Sequence, residues 1–80
     1  MLSQLENNEK VVGAKQTRRA LRDGKAVRIY LAEDADPALT EPIETLSGQF
    51  GVEVEWIPTM KALGAACGIA VGAAVAAVLS

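Results

Sequence analysis

The segment Val27-Arg28-Ile29-Tyr30-Leu31-Ala32 alternates in polarity and is rich in β-branched and aromatic side chains, a pattern that predicts a β-strand. A helix is predicted on each side of this strand. The first runs from Ala14 to Asp23 and ends at Gly24, which supplies a left-handed C-terminal cap. The second follows the polar turn 33–37 and ends at Gly51.

Asp36 and Pro37 predict where the second of these helices begins, since an aspartate caps a helix well and a proline suits its first position. Pro42 is expected to distort or delay the first turns. Apolar side chains then recur at helical spacing, which predicts an apolar face. They are Leu39, Ile43, Leu46 and Phe50.

Further strands and helices are predicted on both sides of this central part. They are a capping-box helix from Ser3 to about Glu9, an extended piece at 11–13, a strand at 52–57, a short helix capped by Thr59 and a buried strand at 73–79. A glycine-rich connection is expected from Gly64 to Gly72. Strands that alternate with helices predict an α/β fold with a parallel or mixed sheet between helical layers.

Composition limits the chemistry of the chain. Its 80 residues predict a single domain over residues 1–80, and there is no histidine to act as a general base or a neutral metal ligand. Cys67 is the single cysteine, and no partner base or metal-ligand spacing surrounds it, so it is expected to be a packed thiol. We therefore expect no catalysis, no cofactor and no metal. The polar, acidic N-terminus and the lone thiol predict a cytoplasmic protein, which we expect to be monomeric.

Charge is distributed unevenly along the chain. Seven of the eight Lys and Arg residues lie between Lys10 and Arg28, and seven of the ten acids lie between Glu33 and Glu55. A basic face of this kind can attract phosphates although the formal net charge is −2. The alternatives are a solvated helix face that happens to be basic, and a surface that docks an acidic protein partner.

The C-terminal run from Ala62 to Ser80 carries no charge and approaches the length of a membrane-spanning helix. Gly64, Gly68 and Gly72 are spaced by four, as in a membrane-helix packing motif. The run consists mainly of alanine and glycine and lacks flanking aromatic or basic clusters. A short helix, a loop and a buried strand account for it better, and we expect no membrane contact.

The start of the helix at Ala14 is the best candidate for a binding site. Gly13 lets another backbone approach, and the first amides of a helix are unpaired donors with a positive partial charge. Lys15 and Gln16 can contact base edges there, and Arg19 can hold a phosphate one turn later. Thr17, Ala20 and Leu21 are expected to face inward, away from this surface. An ordinary amphipathic helix with a glycine at its entrance is the alternative interpretation.

Three motifs occur in an order and at a spacing that together resemble the ribosomal protein L7Ae family, especially its small bacterial kink-turn-binding members. They are 12–17 (VGAKQT), 32–37 (AEDADP) and 61–69 (KALGAACGI). The resemblance spans about Asn8 to Leu79. It implies a three-layer α-β-α sandwich with a four-stranded mixed sheet. It also implies binding to kink-turns, which are bent RNA duplexes with a bulge and tandem sheared G·A pairs, in structured or ribosomal RNA.

The resemblance also implies which residues contact RNA. The helix entrance would contribute Gly13, Ala14, Lys15, Gln16 and Arg19, and a loop comprising Cys67, Gly68, Ile69, Ala70 and Val71 would cover an unstacked bulge nucleotide. Asp36 would help to form the pocket of that nucleotide. Archaeal and eukaryotic members carry Asn-Glu where this chain has Lys15-Gln16. The bacterial members, like this chain, carry Lys-Gln at these two positions.

Overall fold

Helices and strands alternate along the chain in the computed structural model, which describes residues 9–80. They are β1 (Lys10–Val12), α1 (Ala14–Arg22), β2 (Ala26–Ala32), α2 (Pro37–Gln49), β3 (Val54–Ile57), α3 (Met60–Ala66) and β4 (Val75–Leu79). The helix predicted from Ser3 lies outside the described residues, except for its last residue, Glu9. The other predicted helices and strands are all present in the predicted order.

The strands form one sheet in the order β1-β4-β2-β3. β4 pairs antiparallel with both β1 and β2, whereas β2 and β3 are parallel. The sheet is therefore mixed, as predicted. This topology brings the carboxyl ends of β1, β2 and β3 and the amino end of β4 to the same end of the sheet. We call this end of the sheet, across which all four strands meet their loops, the loop edge.

Helices cover both faces of the sheet and create two cores. Ile29 and Leu31 of β2 pack with residues of α1 and α2, whereas Tyr30 and Ala32 point to the opposite face and pack with residues of α3. Ile29, Tyr30 and Leu31 are 0% exposed. Burying a side chain of this size contributes about 1.5–3 kcal/mol, so β2 stabilises both layers at once. The three-layer α-β-α sandwich is confirmed.

The buried face of α2 agrees only in part with the predicted apolar face. Ile43 is buried and Leu46 packs against the same core, as predicted, but Leu39 and Phe50 are 46% and 49% exposed. Thr40 and Ser47 are buried instead. The Ser47 hydroxyl donates a 2.7 Å hydrogen bond to the carbonyl of Ile43, which satisfies its polar group inside the core.

Four predicted boundaries need correction. Pro42 does not delay α2, because the helix begins at Pro37 and continues past Pro42. The strands predicted from Val52 and Ala73 begin at Val54 and Val75. The glycine-rich connection does not start at Gly64, because α3 continues to Ala66 and contains this glycine.

The uncharged run 62–80 is divided between α3, a loop and β4. Within residues 9–80, no helix combines the length and apolar character needed to cross a bilayer. Side chains of β4 alternate between the two faces of the sheet, and both faces are covered by helices. This burial on both faces explains why the strand is apolar.

Candidate functional site

The loop edge brings together the three segments that the sequence analysis singled out. Gly13 follows β1, Asp36 follows β2, and the loop 67–74 leads into β4. The amide of Gly13 donates to the carbonyl of Val75 at 2.8 Å, and the amide of Ala32 donates to the carbonyl of Ala74 at 2.9 Å. The start of α1 is therefore joined directly to the end of the loop, although more than 60 residues separate them in the sequence.

The entrance of α1 is open and lacks a capping side chain. Gly13 is its N-cap residue, with φ 103° and ψ 153°, a conformation that other residues rarely adopt. Apart from its two chain neighbours, none of the residues 9–80 has an atom within 4 Å of the position that a Cβ would occupy there. Within the described part of the chain, no side chain accepts a hydrogen bond at this N-terminus. Its first amides remain free donors with positive partial charge.

The other two helices have capped N-termini. The Asp36 carboxylate accepts from the amide of Ala38 at 2.9 Å, and the Thr59 hydroxyl accepts from the amide of Ala62 at 3.0 Å. Both caps were predicted from the sequence and both are confirmed. Asp34 adds a link across the loop edge, since its carboxylate accepts from the amide of Met60 at 2.7 Å.

The exposed side of α1 is cationic. Thr17, Ala20 and Leu21 are buried beneath the helix, as predicted. An open cavity of about 370 Å³ lies on its outer side and is lined by Lys15, Arg18, Arg19, Arg22 and Asp23. Among residues 9–80, no carboxylate forms an ion pair with any of these four cations. Their charges are therefore available to an anionic ligand.

The loop 67–71 presents both buried and exposed side chains. Cys67 is buried in the core beneath α3, and burial raises the pKa of its thiol, with Lys10 nearby acting in the opposite direction. The thiol therefore packs in its neutral form. Ile69 and Val71 are 37% and 71% exposed. The exposed apolar surface of the predicted loop thus comes from these two side chains, not from Cys67.

Close packing against α3 fixes the position of this loop. The carbonyl of Val71 occupies the space beside Gly64 where any side chain would have its Cβ. The amide of Ile69 donates to the carbonyl of Gly64 at 3.1 Å, and the amide of Ala73 donates to that of Met60 at 3.0 Å. The loop is held by its backbone at both ends, so Ile69 and Val71 are presented on a fixed support.

Asp36 allows a test that separates its cap from its charge. Asp36→Ala should lower the free energy of unfolding by about 1 kcal/mol, because it removes the acceptor for the amide of Ala38. Asp36→Asn should retain most of the stability, since its amide oxygen can still accept. Urea unfolding of both variants measures the difference. Equal losses in the two would show that the carboxylate charge, not the cap, stabilises the turn.

The structure adds two residues to the candidate site. The sequence analysis assigned ligand roles to Lys15 and Arg19 and none to Arg18 and Arg22. All four line the same cavity. The spacing of four from Arg18 to Arg22 places them on one helix face and was the available signal.

The fold and this edge define a small α-β-α sandwich with an uncapped, cationic helix entrance. A family model described as the ribosomal protein L7Ae/L30e/S12e/Gadd45 family matches residues 2–80, and the chain belongs to this family. The resemblance inferred from the three sequence motifs is thereby confirmed.

Relatives and a solved structure agree with this assignment. A Geobacillus sp. (strain WCH70) protein named as an RNA-binding protein is 44% identical over 75 residues, which cover 94% of this chain and 92% of the relative. The large ribosomal subunit protein eL8 of Halobacterium salinarum is 35% identical over 69 residues, covering 85% of this chain and 58% of that protein. The structure of a Giardia lamblia 15.5kD RNA binding protein superposes with a TM-score of 0.92 at 26% identity, covering 99% of this chain and 70% of that one.

Proposed function

We propose that this protein is a monomeric, cytoplasmic RNA-binding protein that recognises and stabilises kink-turns in structured or ribosomal RNA. The observation that carries the proposal is the open entrance of α1, where uncapped amides, Lys15 and Gln16 lie on the same edge as the loop 67–71. Family membership and the names of the RNA-binding relatives support RNA as the ligand. The eL8 relative supports a ribosomal context.

The entrance of α1 fits a groove that is opened by a kink. Ordinary A-form RNA has a deep, narrow major groove that side chains cannot read. A kink widens this groove locally, so a helix end can reach the base edges. There, Lys15 donates to guanine O6 or N7, and Gln16 donates and accepts on a base edge. Gly13 and Ala14 allow close approach, since no described residue apart from the two chain neighbours of Gly13 has an atom within 4 Å of its Cβ position.

The loop 67–71 is suited to an unstacked nucleotide. Exposed Ile69 and Val71 offer apolar surface on which a base can lie, and Gly68 and Ala70 add little bulk between Cys67 and Val71. Asp36 lies on the same loop edge and is exposed. One of its oxygens caps α2, and the carboxylate has further acceptor capacity for a base amino or imino group.

Arg19 supplies a phosphate contact one turn beyond Lys15 on the exposed side of α1. Such a contact orients the RNA and carries no sequence information. The activity of the protein is then binding alone. It favours the kinked conformer because it binds that conformer more tightly than the extended one.

A gel shift with two RNAs tests the proposed function. We expect the protein to bind a kink-turn RNA with at least about tenfold higher affinity than the same RNA with its G·A pairs replaced by Watson–Crick pairs. This is because each lost base contact is worth about 1–3 kcal/mol. Equal affinity for the two would contradict kink-turn recognition and leave general RNA binding. If the protein bound neither RNA but captured a protein partner after nuclease treatment, both kink-turn recognition and general RNA binding would be contradicted.

A further inference from the structure

Arg18 and Arg22, like Lys15 and Arg19, form no ion pair with a carboxylate of residues 9–80, in contrast to Arg28. Arg28 pairs with Glu53 at 3.1 Å and with Glu55 at 3.7 Å, so its charge is compensated within the protein. Over residues 9–80, neither Arg18 nor Arg22 forms such a pair, although Asp23 lines the same cavity. Both side chains are exposed, one helical turn apart.

This arrangement is unfavourable for the free protein. Lys15 with Arg19 and Arg18 with Arg22 are spaced by four on α1, and like charges at this spacing destabilise a helix. All four side chains nevertheless line one cavity. A bound anion would remove the repulsion.

The shape of the cationic surface indicates an extended anion. The four cations line one open cavity of about 370 Å³. Lys15 and Arg22 are separated by about 10 Å along the helix axis, at about 1.5 Å per residue. A nucleic-acid strand carries a phosphate at every nucleotide, at intervals short enough for more than one phosphate to lie along this distance. An acidic protein would have to present carboxylates at matching intervals.

We propose that Arg18 and Arg22 bind successive phosphates of the RNA backbone that flanks the kink, and so anchor the RNA independently of its sequence. Arg18 is suited to this because it also lines a smaller groove with Leu39 and Pro42 of α2, against which its aliphatic part can lie. This inference rests on the proposed RNA-binding function and extends its site along α1. Lys15 and Gln16 would select the kink, while the two arginines would add affinity for any flanking sequence.

Salt dependence tests the proposal. For the double variant Arg18→Ala/Arg22→Ala, we expect the slope of log K against log salt to become shallower by about two, which is about one per lost phosphate contact. The double variant should bind RNA more weakly than the unmodified protein. The ratio of their two affinities should decrease by about tenfold when the salt concentration rises from about 50 to about 200 mM. Arg18→Lys/Arg22→Lys keeps the charges and should keep the slope.

Lys10→Ala is the matched control. Lys10 is also a cation, but it shares a face of β1 with Val12, which packs in the core on the α3 side of the sheet, opposite α1. It does not line the cavity of Arg18 and Arg22, so its removal should leave the slope unchanged. An unchanged slope in the double arginine variant would overturn the proposal. The proposal would also be overturned if the double arginine variant lost binding to poly-glutamate but kept its binding to RNA. That result would assign the surface to an acidic protein.

Measuring both RNAs separates this proposal from the proposed function. The double variant should lose the same factor of affinity for the kink-turn RNA and for the RNA with replaced G·A pairs, since phosphate contacts do not read bases. A loss confined to the kink-turn RNA would overturn the phosphate assignment. If the unmodified protein binds the two RNAs equally, kink-turn recognition fails, and the change in slope still decides the role of the arginines.

Discussion

Gly64→Ala is expected to lower the free energy of unfolding by about 3 kcal/mol, at the upper end of the range for overpacking a tight site. A Cβ at Gly64 would collide with the carbonyl oxygen of Val71 and would lie 3.0 Å from the Cα of Gly72. Both neighbours are backbone atoms, so neither can rotate away as a flexible side chain would. The loop that carries Ile69 and Val71 must then move as a unit, and RNA binding should weaken with it.

Gly48→Ala is the matched control, since Gly48 also lies inside a helix. Beyond its chain neighbours and the backbone of its own helix, no described residue has an atom within 4 Å of its Cβ position, and its backbone does not have positive φ. Alanine there should raise the stability by about 0.5–1 kcal/mol through its better helix propensity. Urea unfolding of both variants measures the contrast. A Gly64→Ala protein as stable as the Gly48→Ala protein would show that the loop does not pack against α3 as described.

Gln16→Ala is expected to weaken binding to a kink-turn RNA by about 1–3 kcal/mol, or about 5- to 150-fold, because a base contact is lost. Gln16 is exposed in the first turn of α1, and its truncation should leave the fold intact. The loss should be much smaller for the RNA with replaced G·A pairs. Titration of both RNAs, with the thermal unfolding temperature as a check on folding, gives the result.

Arg19→Ala is the comparison for this variant. Arg19 lies on the same exposed side of α1 but is assigned to a phosphate, so its removal should weaken binding to both RNAs equally and make the salt dependence shallower by about one. If Gln16→Ala also reduces both affinities by one common factor, the glutamine does not read the bases of the kink.

Local signals in the sequence were sufficient for most of the fold. The pattern of Val27–Ala32 identified β2, and Asp36 and Thr59 marked the starts of α2 and α3, because capping depends on residues close in sequence. Capping and strand alternation are set by neighbours along the chain. They are therefore accessible without the tertiary structure.

Features that depend on distant packing were missed. The sequence predicts that Gly64 begins the glycine-rich connection, whereas it is a helical residue that the backbone of Val71 approaches closely. The buried face of α2 was predicted from its large apolar residues, yet Ser47 is buried because its hydroxyl bonds to the carbonyl of Ile43. Neither contact leaves a periodic signal. In the candidate site, the shared cavity that links Arg18 and Arg22 to Lys15 likewise became visible only in the folded helix.

The mixed sheet also determines where a reporter group can be placed. The entrance of α1, Asp36 and the loop 67–71 lie on the loop edge, whereas the turn between α2 and β3, residues 50–53, lies at the other end of the sheet. β3 separates that turn from the loop edge by about 13 Å, at about 3.3 Å per residue. Phe50 in this turn is 49% exposed. A fluorophore attached through a cysteine at position 50, or a short tether inserted beside Gly51, would follow RNA binding from the end of the sheet away from the loop edge.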